Sequence, residues 1–431
     1  MTSEPCFKLL PNGLAIYLME IHTAPIISHW VWYRVGSRYE TTGLTGISHW
    51  VEHMQFKGTP RFPTSQLDKA ISRTGGVWNA FTYLDWTTFY ETLPASQIDL
   101  ALDLECDRMT ASLFDPVEVE AERNVILAEL EGNQNEPRFR LGEAVQKAAF
   151  DHHPYRNEVI GSREDLKQIQ RSHLFAHYRR YYQPANAIIA VAGDFDAGEM
   201  FERLTNRYAD VPSSPVNAGV VPLEPPLTAE RSVEITGPGS TTHLQLAYRA
   251  PAASNPDFFP LTILDSLLCG PTSLNMFGGG GTTNKTSRLY KALVETELAV
   301  SVRGGIQATI DPSLYEISAT LRPERTPDQV LAVVNDQISR LQDELVPEAE
   351  IARAAKQARA MFAYGSENIT NQAFWLGYAE MFAGYDWFVD YVKNLAQVTP
   401  RDVQRVARNY LQAQQRVVGM YLPEGFPEKA P

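Results

Sequence analysis

A run of prolines near the middle of the chain sets the strongest limit on how it folds. VPSSPVNAGVVPLEPPLTAE, residues 211 to 230, holds Pro212, Pro215, Pro222, Pro225 and Pro226 and few charged residues. Each proline fixes φ and removes a backbone donor, so neither a helix nor a central strand passes through such a stretch. It reads as a semi-rigid linker. The whole chain has 431 residues, more than one hydrophobic core usually organises. The expectation is therefore two similar-sized domains, 1–212 and 231–431, joined by a linker at 213–230.

The two parts share an outline. In the first, FKLL and LAIYLMEI flank Pro11-Asn12-Gly13, a hairpin with Asn-Gly at its tip. IISHWVWYRVGS alternates as a strand does. A helix follows from about Gly46 to Phe56 and stops at Lys57-Gly58-Thr59-Pro60. Ser65 to Arg73 reads as a short helix. GVWNAFTYLDWTTFYETL is rich in aromatic and β-branched residues and reads as paired strands. Two long helices come next, Ala95 to Ser112 and Pro116 to about Glu131, the second with Asp115 as N-cap and proline at N1. AIIAVAGDF is a buried strand. The second part repeats strands (SVEITG, HLQLAYRA, AVSVRGGIQATI, LYEISATLR) among helices. The fold class expected is α+β: two similar domains, each a mainly antiparallel sheet with helices packed on one face.

Composition narrows the function. Hydrophobic residues make up 44% and charged residues 21%, as in globular chains. The net charge of −13 argues against nucleic acid as the main partner, because phosphate binding needs a basic surface. It leaves room for basic peptides through the summed field. Cys6, Cys106 and Cys269 are odd in number and far apart, so neither a disulfide framework nor a thiolate zinc site is expected. No run of 18 apolar residues occurs, so no membrane span is expected. MTSEPCFKLL lacks a basic segment followed by an apolar one, and a cytoplasmic location is the expectation.

GLTGISHWVEHMQFKGT, residues 43 to 59, carries the chemistry. Residues i and i+4 share a helix face, so His49 and His53 can reach one metal ion. Zinc suits two imidazoles and a carboxylate, with a fourth position left for water. Glu52 flanks that face without ligating and is placed to act as general base toward the water. H-x-x-E-H is the common zinc-peptidase signature read in reverse. Two histidines at this spacing are often ordinary helix residues, and HLFAH, His173 to His177, repeats it without a glutamate. That second pair reads as a solvated helix face, and His152-His153 before Pro154 as a loop. A third ligand decides the matter. VEVEAERNVILAELEG offers Glu118, Glu120, Glu122, Glu129 and Glu131. Glu118, Glu122 and Glu129 share a face, and spacing alone does not choose among the acids.

These residues resemble the inverted-zincin metallopeptidases: pitrilysin, insulin-degrading enzyme and the mitochondrial processing peptidase. The family pattern is H-x-x-E-H followed by a glutamate some 76 positions on, inside E-x6-E. Here Glu129 lies 76 residues after His53 and seven after Glu122. The resemblance implies Glu129 as third ligand of one zinc ion per chain and Glu122 as the carboxylate that orients the site. It covers nearly the whole chain. GGVWNAFTYLDWTTFY is similar to the family's substrate-pairing edge strand, which implies peptide contacts at Asn79, Ala80 and Phe81. FGGGGTTNKTSRLYKALVE is similar to its glycine-rich loop, implying a mobile loop over the peptide path with Gly279 and Gly280 in contact. That loop lacks G-x-x-x-x-G-K-[ST], so a phosphate cradle is a poor reading.

The expected activity is zinc-dependent endopeptidase cleavage of unfolded peptides, with Glu52 as general base. The alternative is a non-catalytic scaffold subunit, since some family members have lost the site. Fully active sites of the family also use an arginine and a tyrosine after S-R-L-Y. Here Val294 and Val300 stand at those places, and valine donates no side-chain hydrogen bond. The resemblance therefore implies a heterodimer with a homologous chain that supplies Arg/Tyr. A homodimer, with Arg303 substituting, is the runner-up.

Overall fold

The computed structural model describes residues 4–216, 219–274 and 284–426. The chain forms two compact units. The first comprises Met1–Glu131, Asn157–Pro222 and Ser366–Tyr385. Among its described residues a sheet of six strands forms: β1 (Cys6–Leu9), β2 (Ala15–Glu20), β3 (Ile26–Tyr33), β4 (Val77–Thr82), β5 (Thr87–Pro94) and β6 (Ala187–Gly193). Their order is β1-β2-β6-β3-β5-β4, and every pair is antiparallel except β2 with β6. The Asn-Gly hairpin joins β1 to β2, and Leu10 N–H and Leu14 C=O close its turn at 2.9 Å.

β3 and β6 sit at the centre, and their side chains are buried along almost their full length. That explains the continuous apolar run of β6, and it corrects the alternating reading of β3, whose Ser28 and His29 are buried as well. Side chains alternate along β3, so Trp30 and Trp32 share one face. Phe374 packs edge-on against both rings, at 5.5 and 5.4 Å. It belongs to the helix Ile369–Tyr378, drawn from far down the sequence. Gly377 of that helix fits because any Cβ there would lie 2.2 Å from the Trp32 ring.

The second unit comprises Gly132–Arg156, Leu223–Gly365 and Asp386–Pro431. Its described strands are β7 (Arg231–Gly237), β8 (His243–Ala250), β9 (Ala299–Ile306), β10 (Ser313–Leu321) and β11 (Arg416–Pro423), in the order β7-β11-β8-β10-β9. The pattern repeats β2-β6-β3-β5-β4, including one parallel pair at the same place. The helix Pro137–Ala149 lies on this sheet, and Gly419 of β11 makes room for its Leu141 and Val145. Each sheet thus takes a helix from the other half of the sequence. The described residues of the proline-rich stretch have no regular structure. Beyond Pro222 it is pinned to the second unit: Glu224 accepts the backbone N–H groups of Asp151, His152 and His153 at 2.7–2.8 Å. The three cysteines are unpaired. No helix among the described residues is long and apolar enough to cross a membrane.

Candidate metal centre

The motif helix runs from Ile47 to Met54, and its start is held before its side chains matter. Gly46 has φ +87°, and a Cβ there would come 2.4 Å from the Ile160 carbonyl oxygen. Only glycine allows that approach. A helix start leaves backbone N–H groups without partners. Glu40 accepts two of them, from Gly46 and Ser48, each at 2.8 Å. Asp165 accepts the Thr45 N–H at 2.9 Å and its hydroxyl at 2.6 Å. Burial pushes Glu40 up to about 7, even though the two amides pull the other way. Nothing in the local sequence signals this clamp. Glu40→Ala is expected to cost about 2–4 kcal/mol, because two buried donors lose their acceptor. Urea unfolding checks this, and a change below about 0.5 kcal/mol would mean the clamp carries no weight.

His177 also departs from expectation. His173 is exposed, as a solvated face requires, but His177 is buried with its Nε2 3.3 Å from the Ser48 hydroxyl. Leu174, His177, Tyr178 and Tyr181 form the inward stripe of their helix, with i, i+3, i+4, i+7 spacing. Burial pushes His177 down to about 3, so it packs as a neutral side chain beneath the motif helix.

From that fixed start, His49 and His53 lie edge to face, ring centres 4.6 Å apart. The helix Pro116–Gln134 brings its acids alongside, and each takes a separate place. Glu129 faces both imidazoles: its oxygens lie 3.9 Å from His49 Nε2 and 3.7 Å from His53 Nε2. Glu122 accepts from His53 Nδ1 at 2.9 Å and pairs with Lys57 at 2.5 Å. Glu118 lies 3.9 Å from Lys57, Glu120 pairs with Arg123, and Glu131 pairs with Arg163. Lys57 was not singled out from the sequence. It lies three residues beyond the end of the motif helix, in the turn that closes it, so helix spacing did not point to it.

The donor set fits a metal ion. Ligand atoms of His49, His53 and Glu129 lie within 4.8 Å of one another. The imidazole–carboxylate gaps are too long for hydrogen bonds. A tetrahedral ion with bonds of ~2.0–2.2 Å holds neighbouring donors roughly 3.4 Å apart, close to what is found. The bond from His53 Nδ1 to Glu122 fixes the tautomer that leaves Nε2 with its lone pair free. Burial opposes a charge on His53, but the Glu122 bond and the surrounding carboxylates outweigh it and hold its pKa above the usual value. His49, more deeply buried and beside His53, is pushed down to about 3 and offers a neutral imidazole.

Glu52 is buried one turn away. Its Oε2 accepts the Thr82 hydroxyl at 2.7 Å, and burial pushes its pKa up to about 6. Thr82 ends β4, the edge strand of the first sheet. Strand alternation puts Ala80 on the same face as Thr82, and Asn79 and Phe81 on the other. Ala80 is buried, Phe81 stacks on Tyr90, and the Asn79 side chain accepts the Ala80 N–H at 2.9 Å. Thr82 was the functional neighbour that sequence reading missed, although its period-two spacing from Ala80 pointed to it. Gly279 and Gly280 lie outside the described residues. Val294 ends a π-helical turn, Tyr290–Val294, and Val300 and Arg303 lie exposed on β9.

Comparisons with known proteins bear on the family and the fold. Residues 16–163 match the family model described as "Insulinase (Peptidase family M16)", and residues 168–358 match "Peptidase M16 inactive domain". An uncharacterized zinc protease of Streptomyces coelicolor is 27% identical over 93% of this chain and 86% of its own length. An Arabidopsis thaliana protein named "Probable mitochondrial-processing peptidase subunit beta" is 25% identical over 93% of this chain and 75% of its own. Among solved structures, a protease from Helicobacter pylori superposes with a TM-score of 0.89, at 24% identity, covering 98% of this chain and 100% of that one. That likeness speaks for the fold. The two adjoining family models run from one unit's first strands into the other's helices, and this chain belongs to peptidase family M16.

Proposed function

We propose that the chain is a zinc-dependent endopeptidase that cleaves unfolded peptides. The observation that carries this reading is the convergence of His49, His53 and Glu129 with a buried carboxylate, Glu52, beside them. His49, His53 and Glu129 would hold one zinc ion per chain, and Glu122 would orient His53. When bound, zinc supplies Lewis-acid polarisation of the scissile carbonyl and makes water a stronger acid. Glu52 takes the proton from the attacking water and returns it to the leaving amine. Its raised pKa suits both steps near neutral pH. Thr82 holds the Glu52 carboxylate in place between them.

The substrate would enter as an added strand along β4, bonding through its main chain. Ala80 presents no bulk on the face toward Glu52. Asn79 would release the Ala80 N–H to the peptide, and Phe81 would shape the other face. Gly279 and Gly280 would add contacts to the peptide.

Val294 and Val300 favour a partner. No side-chain donor stands at either position to hold the substrate's developing oxyanion, a task for fixed donors. A heterodimer with a homologous chain that supplies Arg and Tyr completes the site; in a homodimer Arg303 would have to serve. The test is an internally quenched peptide offered to the zinc-loaded chain, alone and with such a homologue. Internal cleavage that appears or rises steeply on mixing supports the reading. Full cleavage by the single chain removes the partner. No cleavage under either condition leaves the scaffold alternative.

A further inference from the structure

The second unit carries a cavity that the metal chemistry does not use. Along β8, β10 and β9 the side chains alternate, so Leu244, Ile317 and Val302 are buried. Gln245, Glu316, Ser318, Thr320, Ser301 and Arg303 then share the opposite face. The register sets Ser301 across from Thr320 and Arg303 across from Ser318. The helix Pro137–Ala149 runs beside them and contributes Arg138, whose Nη2 donates to the Thr320 hydroxyl at 3.0 Å. These residues line a cavity of about 260 Å³.

A sheet face turned to water is polar in most proteins, so polarity alone says little. The unpaired arginines say more. Among the described residues, neither Arg138 nor Arg303 has a carboxylate within salt-bridge distance; Arg322, Arg359 and Arg401 of this unit also lack one, but Arg138 and Arg303 line one cavity together. The one acid in the cavity, Glu316, is turned toward Gln245, whose Nε2 donates to it at 3.0 Å. Two cations with spare donors therefore share a concave site with the hydroxyls of Ser301 and Ser318, in a chain of net charge −13.

We propose that this cavity binds a peptide carboxylate, with Arg138 and Arg303 as its two cationic arms. A guanidinium presents paired N–H donors that match the two oxygens of a carboxylate. The neighbouring serines add short neutral donors, and the concave wall limits water. The ligand is either the free C-terminus of a peptide or an acidic side chain within it. This choice of ligand rests on the peptidase reading above.

The test uses the full zinc-loaded chain carrying Glu52→Gln, so that peptide is not consumed. Three fluorescent peptides of one sequence are compared by anisotropy: free C-terminal acid, C-terminal amide, and the amide with one internal glutamate. The free acid is expected to bind about tenfold tighter than the amide, the value of one charge-assisted contact. Arg303→Gln and Arg138→Gln should each shrink that ratio, and the double variant should erase it. Recovery of tight binding by the glutamate-bearing amide assigns the carboxylate to a side chain as well. Equal binding of all three peptides overturns the proposal, and so does a ratio that survives in the double variant. Both arginines are exposed, and thermal melting checks that the variants fold. Cleavage of the amidated peptide by the unaltered zinc-loaded chain is scored separately. A chain that separates acid from amide but cleaves nothing keeps this site and loses the peptidase reading.

Discussion

Glu52→Gln is expected to lower kcat about a thousandfold, within the range that a positioned general base contributes, while zinc content stays at the wild-type value. The substitution keeps the shape of the side chain. Its carbonyl oxygen can still accept the Thr82 hydroxyl, now at 2.7 Å. What it loses is the capacity to take a proton. Because Glu52 is outside the donor set of His49, His53 and Glu129, the metal has no reason to leave. A stability effect accompanies the loss. Burial raises the folded-state pKa of Glu52 to about 6. A carboxyl with a raised folded pKa binds more protons folded than unfolded, so stability falls as pH rises from the ordinary carboxylate value to about 6, and stays low above it. Glutamine never ionises. The metal-free variant should therefore melt higher than the metal-free wild type at pH 7–8, and the gap should close near pH 4. Retained wild-type turnover would remove Glu52 as the base. A fall in zinc content would make it a ligand.

Arg108→Met is expected to destabilise the chain by about 3–5 kcal/mol, as when one partner of a buried ion pair is removed. Arg108 is 1% exposed and donates to Glu105 at 2.5 Å, with Glu91 at 3.9 Å. Glu91 in turn meets His29 Nδ1 at 3.1 Å, and both are fully buried. Burial pushes the Glu105 carboxyl well above its usual range, and Arg108 is the main group opposing that shift. The guanidinium also lies over the rings of Phe56, Trp78 and Phe89, at 5.1, 5.4 and 4.7 Å. Phe56 follows the motif helix and Trp78 sits on β4, so one cation braces the two elements that frame the proposed metal centre. Urea denaturation measures the loss. Pairing the change with Glu105→Leu should recover much of it, since apolar replacement of a whole buried pair is often neutral. A single-variant loss below about 1 kcal/mol would show that water or proton uptake satisfies the acids.

Local pattern carried the elements well. The Asn12-Gly13 turn, the aromatic hairpin from Val77 to Pro94 and the proline at the start of Pro116–Gln134 are all signals within a few residues, and the structure has an element at each. The i,i+4 histidines were legible for the same reason. Longer contacts were not. Five glutamates on one helix looked alike until Lys57, Arg123 and Arg163 claimed their neighbours. Glu40 meets the start of the motif helix from a loop 6 residues away, and Asp165 holds the preceding Thr45 from the short helix Arg163–Gln168, 120 residues away. His177 looked solvated because the helix it packs beneath begins 130 residues earlier. The apolar run of β6 implied cover on both faces, but β3, read as alternating, is buried on both faces too, and nothing local told that part of the cover comes from residues 369–378. Periodicity reports which face is buried and says nothing of what buries it.

A zinc titration tests the metal centre most directly. The metal-free chain, in the preparation that cleaves best, is given zinc in steps while peptide cleavage and bound zinc are both read. The rate should rise from near zero in proportion to bound zinc and break at one equivalent per chain. His53→Ala and Glu129→Gln should bind little zinc at that point and stay inactive. Full cleavage by the metal-free chain, or an unchanged one-equivalent break in either variant, would contradict the assignment of His49, His53 and Glu129 as the site where the chemistry occurs.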